Sequence, residues 1–186
     1  KKNGGEAVLT SNKHNSGTDR IYEALQKTKI RNIDLVMNLQ GDEPLIDVDD
    51  IRNLNRLMTN TNSKIGTLAS KILDKKFYDN QSVVKVKTKE ELNHKNFPEA
   101  IYFERKTLKK DINIYHHMGI YCYETETLKD FVSYKQSPNE AKYNLEQLRA
   151  LENKIKINVA LAKSHSIGID TKEDFVAIKK IMEYKT

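Results

Sequence analysis

An apolar run that stops abruptly at a glycine and two carboxylates constrains this chain more than any other stretch of its sequence. Residues 34–45 read DLVMNLQGDEPL, and 34–39 are predicted to form a strand of the largely apolar kind that is buried in a parallel sheet. In an open α/β sheet, ligands bind just beyond the carboxyl ends of the strands. Asp42 therefore occupies a position at which an active-site metal ligand is expected. Alternatively, residues 41–44 form only a polar turn, and either Asp42 or the later Asp47 caps the helix that follows.

Helical and strand patterns alternate along the rest of the chain. Apolar residues at helical spacing predict helices over 18–29 and 47–59, and a short amphipathic piece over 74–78. Segments rich in β-branched and aromatic residues predict further strands at 65–69, 83–86, 101–103, 118–123 and 155–161. This order predicts an α/β protein, a three-layer α/β/α sandwich around a mostly parallel sheet, with residues 1–186 forming a single domain.

Two later helices have well-marked starts. Ser137 is followed by Pro138 and by Glu140 three positions on, which predicts a capping box with proline at the first helical position. Thr171 begins a second capping box and a final helix. Their predicted buried faces consist of Leu145, Leu148 and Leu151 in the first helix and of Phe175, Ile178 and Met182 in the second.

Composition excludes several classes of protein. No apolar stretch approaches the roughly 20 residues that cross a bilayer, so no membrane span is expected. The net charge of +6 comes from scattered lysines and arginines rather than from a basic block with interleaved aromatics, which argues against nucleic acid as a partner. The only cysteine, Cys122, cannot form an internal disulfide and is expected to pack within a strand. These features predict a cytoplasmic protein.

The beginning of the chain predicts that it is part of a longer polypeptide. It opens on KKNGG without a methionine and enters an apolar segment at 7–9 that is typical of the end of a strand. A short processed or tagged terminus is the alternative.

A second polar segment, residues 13–20 (KHNSGTDR), is a loop of small and hydroxyl-bearing residues directly before a predicted helix. Backbone N–H groups and the positive end of the helix dipole favour an anion or a polar base edge at such a place. Arg20 can pair with a phosphate there. Alternatively, Ser16 or Thr18 is a plain N-cap and Arg20 is solvated.

A third segment ends in an aspartate at the start of the final helix. Residues 166–171 read SIGIDT, in which Asp170 follows an apolar run. Aspartates at the carboxyl ends of two parallel strands can converge, and paired carboxylates with substrate phosphates commonly hold Mg²⁺. Asp42 and Asp170 are therefore a candidate metal pair, although Asp170 can also be a simple N-cap.

Five motifs, in this order and at these spacings, resemble the 3-deoxy-manno-octulosonate (Kdo) cytidylyltransferase family. They are 13–20 (KHNSGTDR), 38–45 (NLQGDEPL), 117–121 (HMGIY), 144–149 (NLEQLR) and 168–174 (GIDTKED). The resemblance covers essentially the whole chain and implies a Rossmann-like nucleotidyltransferase fold. It also implies an activity, the activation of Kdo with CTP for lipopolysaccharide assembly.

The resemblance further implies roles for individual residues. Asp42 and Asp170 match the family's magnesium ligands, and Gln40 matches the glutamine that contacts substrate near the metal. The nucleotide-binding positions correspond to His14, Ser16, Gly17, Thr18 and Arg20. The positions around the sugar acid correspond to Gln40, Arg105, His117, Tyr121, Glu146 and Gln147, and the implied catalytic set is Gln40, Asp42, Arg105 and Asp170. Tyr121 can instead belong to the core, and Glu146 can merely solvate its helix.

The implied reaction is attack of the anomeric hydroxyl of Kdo on the α-phosphorus of CTP, with release of pyrophosphate. Because the reactants are anionic, positioning and charge neutralisation by Mg²⁺ should carry catalysis. Arg105 can receive the sugar carboxylate in bidentate fashion, and no general base is assigned.

Two departures from the family pattern limit what the resemblance implies. The family's first strand and triphosphate-gripping loop have no counterpart in this sequence, so residues 1–186 alone are expected to be inactive or nearly so. The path from Arg105 to the strand at His117 is also shorter than in the family. It lies in a small dimerisation excursion around 98–123, so a homodimer is expected but its geometry stays open.

Three other functions remain possible at this stage. The chain can transfer CMP to another acidic sugar, of the sialic-acid kind. It can be a catalytically inactive module that binds phosphate-rich partners through its positive charge. It can also be a purely structural dimerisation domain, against which the strands that end in carboxylates argue.

Overall fold

The structure is a computed structural model, and it describes residues 4–14, 16–74, 76–106, 112–163, 168–169 and 171–183. The elements in these ranges follow one another in this order: α1 (Gly17–Lys27), β1 (Leu35–Asn38), α2 (Val48–Thr61), β2 (Ile65–Ser70), α3 (Lys76–Asp79), β3 (Lys85–Thr88), β4 (Ala100–Glu104), β5 (Ile114–Glu124), α4 (Thr125–Ser133), α5 (Pro138–Tyr143), α6 (Gln147–Glu152), β6 (Ile157–Leu161) and α7 (Lys172–Glu183).

The long strand β5 organises the sheet. One of its edges pairs with β2, and the other pairs with β3 near the start of β5 and with β1 near its end, all antiparallel. Beyond these, β4 pairs antiparallel with β3, and β6 pairs parallel with β2. The strands β1, β2, β3 and β6 therefore share one direction, while β4 and β5 run the opposite way.

The predicted α/β class is confirmed, but the sheet is mixed rather than mostly parallel in its pairing. Residues 89–99, between β3 and β4, contain no helix. The strands β3 and β4 are therefore not joined by the long crossover connection that adjacent parallel strands require, and they pair antiparallel.

Helices cover both faces of the sheet, which confirms the three predicted layers. Along β5, Met118, Ile120 and Cys122 pack in a cluster with side chains of α2. The alternate residues Tyr121 and Tyr123 pack in a second cluster with α1, α4 and α6. Successive side chains of a strand point to opposite faces, so the two clusters lie on opposite sides of the sheet. The prediction that Cys122 packs within a strand is also confirmed.

One predicted helix is interrupted. The capping box of Ser137 and Glu140 is present at the start of α5, as predicted. The helix then ends at Asn144, whose φ of 52° is left-handed, and α6 begins only at Gln147. A left-handed residue cannot continue an α-helix, and asparagine tolerates this conformation better than most residues do. The break places Glu146 and Gln147 at the beginning of a helix instead of in the middle of one.

The final helix begins as predicted but packs less fully. Thr171 and Asp174 exchange capping hydrogen bonds of 2.9–3.1 Å. Ile178 is buried, whereas Phe175 and Met182 are 54% and 48% exposed, so their predicted burial is wrong. Helical periodicity identifies an apolar stripe, but it does not determine how much of the stripe meets the protein.

The predicted strand end at residues 7–9 is also wrong, since these residues belong to no strand. Leu9 is 91% exposed, and its carbonyl oxygen accepts a hydrogen bond from the side chain of Lys27 in α1 rather than from a neighbouring strand.

Across the described ranges, none of the helices combines the length and the apolar character that crossing a bilayer requires.

A buried ion cluster ties three helices together. The guanidinium of Arg149 in α6 donates to both carboxylate oxygens of Glu140 in α5, at 2.8 and 2.6 Å, and to Asp19 in α1, at 3.1 Å. Arg149 and Glu140 are only 2% and 3% exposed. Arg149 also stacks over the Phe131 ring at 4.6 Å, which closes the remaining side of the cluster.

We expect Arg149→Met to lower the free energy of unfolding by about 3–5 kcal/mol, because it leaves the Glu140 carboxylate buried without a partner. Urea unfolding measures this change. The matched control is Arg52→Met, which breaks the exposed pair between Arg52 and Asp49. It should cost no more than about 1 kcal/mol. Equal small losses in both variants would show that the ion cluster does not hold these helices.

Candidate functional site

The segment after β1 presents Asp42 at the surface. The N–H of Glu43 bonds the carbonyl oxygen of Gln40 at 3.2 Å, which turns the chain directly after the strand. Asp47 then caps α2, its carboxylate accepting from the N–H of Asp49 at 2.8 Å. The capping alternative therefore holds for Asp47, whereas Asp42 is exposed and does not cap this helix.

The backbone of the same segment meets the start of the GIDTKED motif. The N–H of Ile169 donates to the carbonyl oxygen of Asp42 at 2.8 Å. A Cβ at Gly168 would lie 3.7 Å from that oxygen and 3.6 Å from a carboxylate oxygen of Glu43. Two segments far apart in sequence are thus in contact immediately before Asp170, which itself lies outside the described residues. Within the described ranges, no three His, Cys, Asp or Glu side chains gather into a group that could hold a metal.

The first turn of α1 lies against the end of β1. Ser16 is the N-cap, as the sequence allowed, and its hydroxyl accepts from the N–H of Asp19 at 3.2 Å. A Cβ at Gly17 would come within 2.8 Å of Nε2 of Gln40. Gln40 therefore rests on the first residue of α1, and its Nε2 also donates to Oδ1 of Asn38 at 3.2 Å.

The two outer residues of the predicted nucleotide segment already have protein partners. Arg20 donates to the hydroxyl of Thr10 at 2.8 Å and to the carbonyl of Ser11 at 2.9 Å, so it is tied to the preceding segment rather than simply solvated. Nε2 of His14 bonds the carboxylate of Glu23. Hydrogen bonds from Lys27, His14 and the N–H of Ser11 lower the pKa of Glu23 to about 2. These contacts hold residues 10–14 against α1.

The starts of α1 and α6 are joined by a buried hydrogen bond. The fully buried Thr18 donates to Oε1 of Glu146 at 2.9 Å, and its hydroxyl also lies 3.1 Å from that of Tyr123. Burial raises the pKa of Glu146, against hydrogen bonds from Thr18 and Ser16 that lower it. The alternative that Glu146 only solvates its helix is wrong. Gln147, the next residue, is 5% exposed.

On the sheet beneath this junction, His117 and Tyr121 form part of an aromatic cluster. The His117 ring lies 5.4 Å from the Tyr121 ring and edge-on to Phe103 at 5.0 Å. Its Nε2 is 3.0 Å from the hydroxyl of Thr67. Burial, with His116 nearby, lowers the pKa of His117 to about 3, so the ring is neutral at physiological pH. Tyr121 is buried in the core, as its alternative interpretation stated, and its ring also stacks on that of Tyr123 at 5.8 Å.

Arg105 lies beside the break between α5 and α6. Its guanidinium donates at 3.3–3.4 Å to the carbonyl oxygens of Gln81, Ser82, Tyr143 and Asn144. The fully buried Lys85 fixes its backbone, since Nζ donates to the carbonyl of Arg105 at 2.7 Å. Burial lowers the pKa of this lysine. Arg105 therefore reaches the segment that precedes Glu146, whereas these hydrogen bonds do not extend to Asp42.

Sequence reasoning missed three polar residues of this group, namely Asn38, Thr67 and Tyr123. Thr67 and Tyr123 lie in segments predicted as strands, and their local sequence does not distinguish them from ordinary strand residues. Only the assembled sheet shows that they lie near the other polar residues. Asn38 carries a signal that could have found it, because it is a polar residue inside an apolar strand and is 3% exposed.

Comparison with known proteins gives similarity over nearly the whole chain. A family model described as cytidylyltransferase matches residues 1–157. The 3-deoxy-manno-octulosonate cytidylyltransferase of Thermodesulfovibrio yellowstonii is 44% identical over 195 residues, covering 96% of this chain and 74% of that protein. The protein of the same name from Bartonella henselae is 39% identical over 181 residues, with the same two coverages of 96% and 74%.

Comparison with solved structures shows that the fold is also similar to that of known proteins. The structure of CMP:2-keto-3-deoxy-manno-octonic acid synthetase complexed with CTP matches with a TM-score of 0.85 at 29% identity, covering 100% of this chain and 75% of that one. The 4-diphosphocytidyl-2C-methyl-D-erythritol synthase of Anaerococcus prevotii matches with a TM-score of 0.53 at 14% identity, which is a likeness of fold alone.

The low pKa of His117 predicts a pH-dependent contribution to stability. Between its folded pKa of about 3 and its ordinary value of 6.5, the unfolded chain binds a proton that the folded protein does not. This contribution is therefore complete above pH 6.5 and is lost as the pH falls toward 3, with a slope of at most about 1.4 kcal/mol per pH unit.

We expect His117→Gln, which keeps a hydrogen-bonding group near Thr67, to remove that slope. Urea unfolding of both proteins at a series of pH values measures it, and NMR should show no titration of the His117 ring between about pH 5 and 8. An unchanged pH dependence in the variant, or a ring that titrates in this range, would contradict the assignment of a neutral buried histidine.

Proposed function

The chain belongs to the 3-deoxy-manno-octulosonate cytidylyltransferase family, and from this premise we propose how its residues transfer CMP from CTP to Kdo with release of pyrophosphate. One observation in the structure supports the proposal most directly. The hydrogen bond from Thr18 to Glu146 joins the segment that resembles the family's nucleotide site to the segment that resembles its sugar site. Two substrates bound to these segments would therefore lie side by side.

The nucleotide side of the site is built from the start of α1 and the end of β1. Ser16 and Gly17 begin a helix whose positive end favours the negatively charged triphosphate. Gln40 lies over Gly17, and its carboxamide can donate a hydrogen bond to a phosphate or sugar oxygen. Gln40 and the start of α1 therefore position the α-phosphate rather than take part in proton transfer.

The sugar side is built from the start of α6, the aromatic cluster and Arg105. A guanidinium is well matched to a carboxylate, so Arg105 would receive the acid group of Kdo, exchanging its long bonds to backbone carbonyls for shorter charge-assisted ones. His117 is neutral and therefore contributes hydrogen bonding rather than charge. Glu146 accepts hydrogen bonds from Thr18 and Ser16, which orient its carboxylate on this side of the site.

We further propose that the reaction depends on Mg²⁺, held by Asp42 and Asp170 together with phosphate oxygens. Asp42 fits this role because its carboxylate is exposed just beyond β1, and because its backbone contacts Ile169, the residue before Asp170. When bound, the ion would neutralise negative charge at the reacting phosphate. The remaining contribution of the chain is to bind and orient the two substrates.

Further properties implied by the resemblance remain proposals. These are a cytoplasmic location, a homodimer that uses the excursion around 98–123, and little or no activity of residues 1–186 alone. The described parts of that excursion include β4 and most of β5, which belong to the common sheet. Two alternatives are not favoured, namely transfer to another acidic sugar and an inactive phosphate-binding module. The relatives are named 3-deoxy-manno-octulosonate cytidylyltransferase, and the solved structure with CTP is named CMP:2-keto-3-deoxy-manno-octonic acid synthetase.

The metal proposal predicts the behaviour of the aspartates. Asp42→Asn and Asp170→Asn should each lower the rate of pyrophosphate release from CTP, Kdo and Mg²⁺ by at least about a hundredfold, because a carboxylate ligand is lost. The matched control is Asp34→Asn, which alters an exposed aspartate just before the other end of β1. It should leave the rate unchanged.

The assay uses residues 1–186 and any longer product of the same reading frame, with circular dichroism as a check on folding. Normal turnover in folded Asp42→Asn protein would reject the metal role. Absence of pyrophosphate release from every unsubstituted form would reject the proposed function.

The contact between Gly17 and Gln40 predicts a defect of positioning. Gly17→Ala would place a Cβ 2.8 Å from Nε2 of Gln40, and the flexible carboxamide would have to move. We expect kcat/KM to fall by about tenfold to a hundredfold with little change in Tm, because small displacements of a positioning group are costly. The control is Gly119→Ala, whose Cβ would meet nothing within 4 Å. Equal activities in the two variants would contradict a positioning role for Gln40.

A further inference from the structure

Two buried polar atoms next to the site have no hydrogen-bond partner among the described residues. They are Nδ2 of Asn38 and the hydroxyl oxygen of Tyr121. The two residues are 3% and 4% exposed. The large majority of buried polar side-chain atoms in folded proteins are hydrogen-bonded, so each exception calls for a physical reason.

The two residues are neighbours on one face of the sheet. Asn38, the last residue of β1, is directly opposite Tyr121 in the antiparallel pairing with β5. Directly opposed residues of an antiparallel pair project to the same face. The two unpartnered atoms therefore belong to one place in the fold, at the end of β1 that leads to Gln40 and Asp42.

The surroundings of this pair are the proposed sugar site. Nε2 of Gln40 donates to Oδ1 of Asn38, which leaves only the donor group of that asparagine without a partner. Burial, Tyr123 and the carboxylate of Glu146 together raise the pKa of Tyr121. The Tyr121 hydroxyl is therefore protonated and within electrostatic reach of a second residue assigned to the sugar.

We propose, on the basis of the proposed function, that Asn38 is a specificity-determining residue whose Nδ2 donates a hydrogen bond to a hydroxyl oxygen of the sugar acid, beside a second contact from Tyr121. An amide N–H₂ only donates, so its partner must be an acceptor oxygen. Gln40, a neighbouring residue assigned to the substrate, bonds Oδ1 of Asn38 and leaves Nδ2 for this contact.

This role predicts that substitutions at the two residues affect sugar binding and protein stability differently. Removing a polar group that is already hydrogen-bonded lowers stability, whereas removing a buried group that has no partner leaves stability unchanged or raises it. A site built to bind a hydroxyl also rejects an analogue that lacks it. Tyr121→Phe should therefore weaken sugar binding without destabilising the protein. Asn38→Leu should weaken sugar binding too, but it also removes the acceptor of the Gln40 bond, so it should lose no more Tm than a variant that removes one partnered amide.

The chain offers a matched control for each variant. Tyr115, on the same strand, is also buried, but its hydroxyl accepts from the N–H of Leu92 at 2.8 Å. Asn158, in β6, donates through Nδ2 to the carbonyl of Phe97 at 2.6 Å. Tyr115→Phe and Asn158→Leu remove polar groups that have partners, so they should lower Tm and leave the KM for Kdo unchanged.

The experiment measures the Tm of each protein and its KM values for Kdo and for CTP in the pyrophosphate assay, on the active form of the protein. For Asn38→Leu and Tyr121→Phe we expect the KM for Kdo to rise by about tenfold or more and the KM for CTP to stay within about twofold. Tm should be equal or higher in Tyr121→Phe, and in Asn38→Leu it should be no lower than in Asn158→Leu, because the bond from Gln40 is lost.

Each outcome decides the question. An unchanged KM for Kdo in Asn38→Leu overturns the role of Asn38 while the proposed function stands. Equal rises in the KM values for both substrates, or a loss of Tm in Tyr121→Phe as large as that in Tyr115→Phe, overturn the proposal as well, because they indicate general distortion. Absence of turnover in the unsubstituted protein overturns the proposed function itself.

Discussion

The buried junction between α1 and α6 is the interaction on which the geometry of the site depends. Thr18 and Glu146 form its hydrogen bond, and Arg149 binds Asp19 of α1 and Glu140 of α5 beside it. Charges this deeply buried are tolerated only when they are paired, so other arrangements of the three helices are strongly disfavoured. The junction thereby fixes the distance between the segments that resemble the family's nucleotide and sugar sites, as the proposed reaction between two bound substrates requires.

The strand β5 supports that junction from below. Its alternate residues pack on opposite faces of the sheet. Met118, Ile120 and Cys122 pack on the side of α2, and Tyr121 and Tyr123 pack on the side of α1 and α6. A strand that pairs with three others along its length holds its side chains firmly. The polar groups of the site therefore rest on a strand that is paired along both edges, which suits the proposed sugar site.

Local rules account for what could be predicted from the sequence. Strand β1, the cap at Ser137 and the capping box at Thr171 depend on residues close in sequence, and each was predicted correctly. The mixed pairing of the sheet depends on contacts between distant strands, and the break at Asn144 depends on a left-handed residue that helical periodicity does not reveal. The motifs identified segments 16–18, 40–42 and 146–147, but only the assembled sheet showed how they meet.

Two kinds of polar group in the site carry different energetic consequences for binding. Arg20 and Thr18 already donate to protein acceptors, so any bond to substrate replaces an existing one and its net gain is small. Asn38 and Tyr121 have buried polar atoms without such partners, so a substrate oxygen that reaches them gains a bond without breaking one. The first kind maintains the shape of the site. The second kind gives discrimination among sugars, because a substrate without the matching oxygen leaves those atoms unsatisfied.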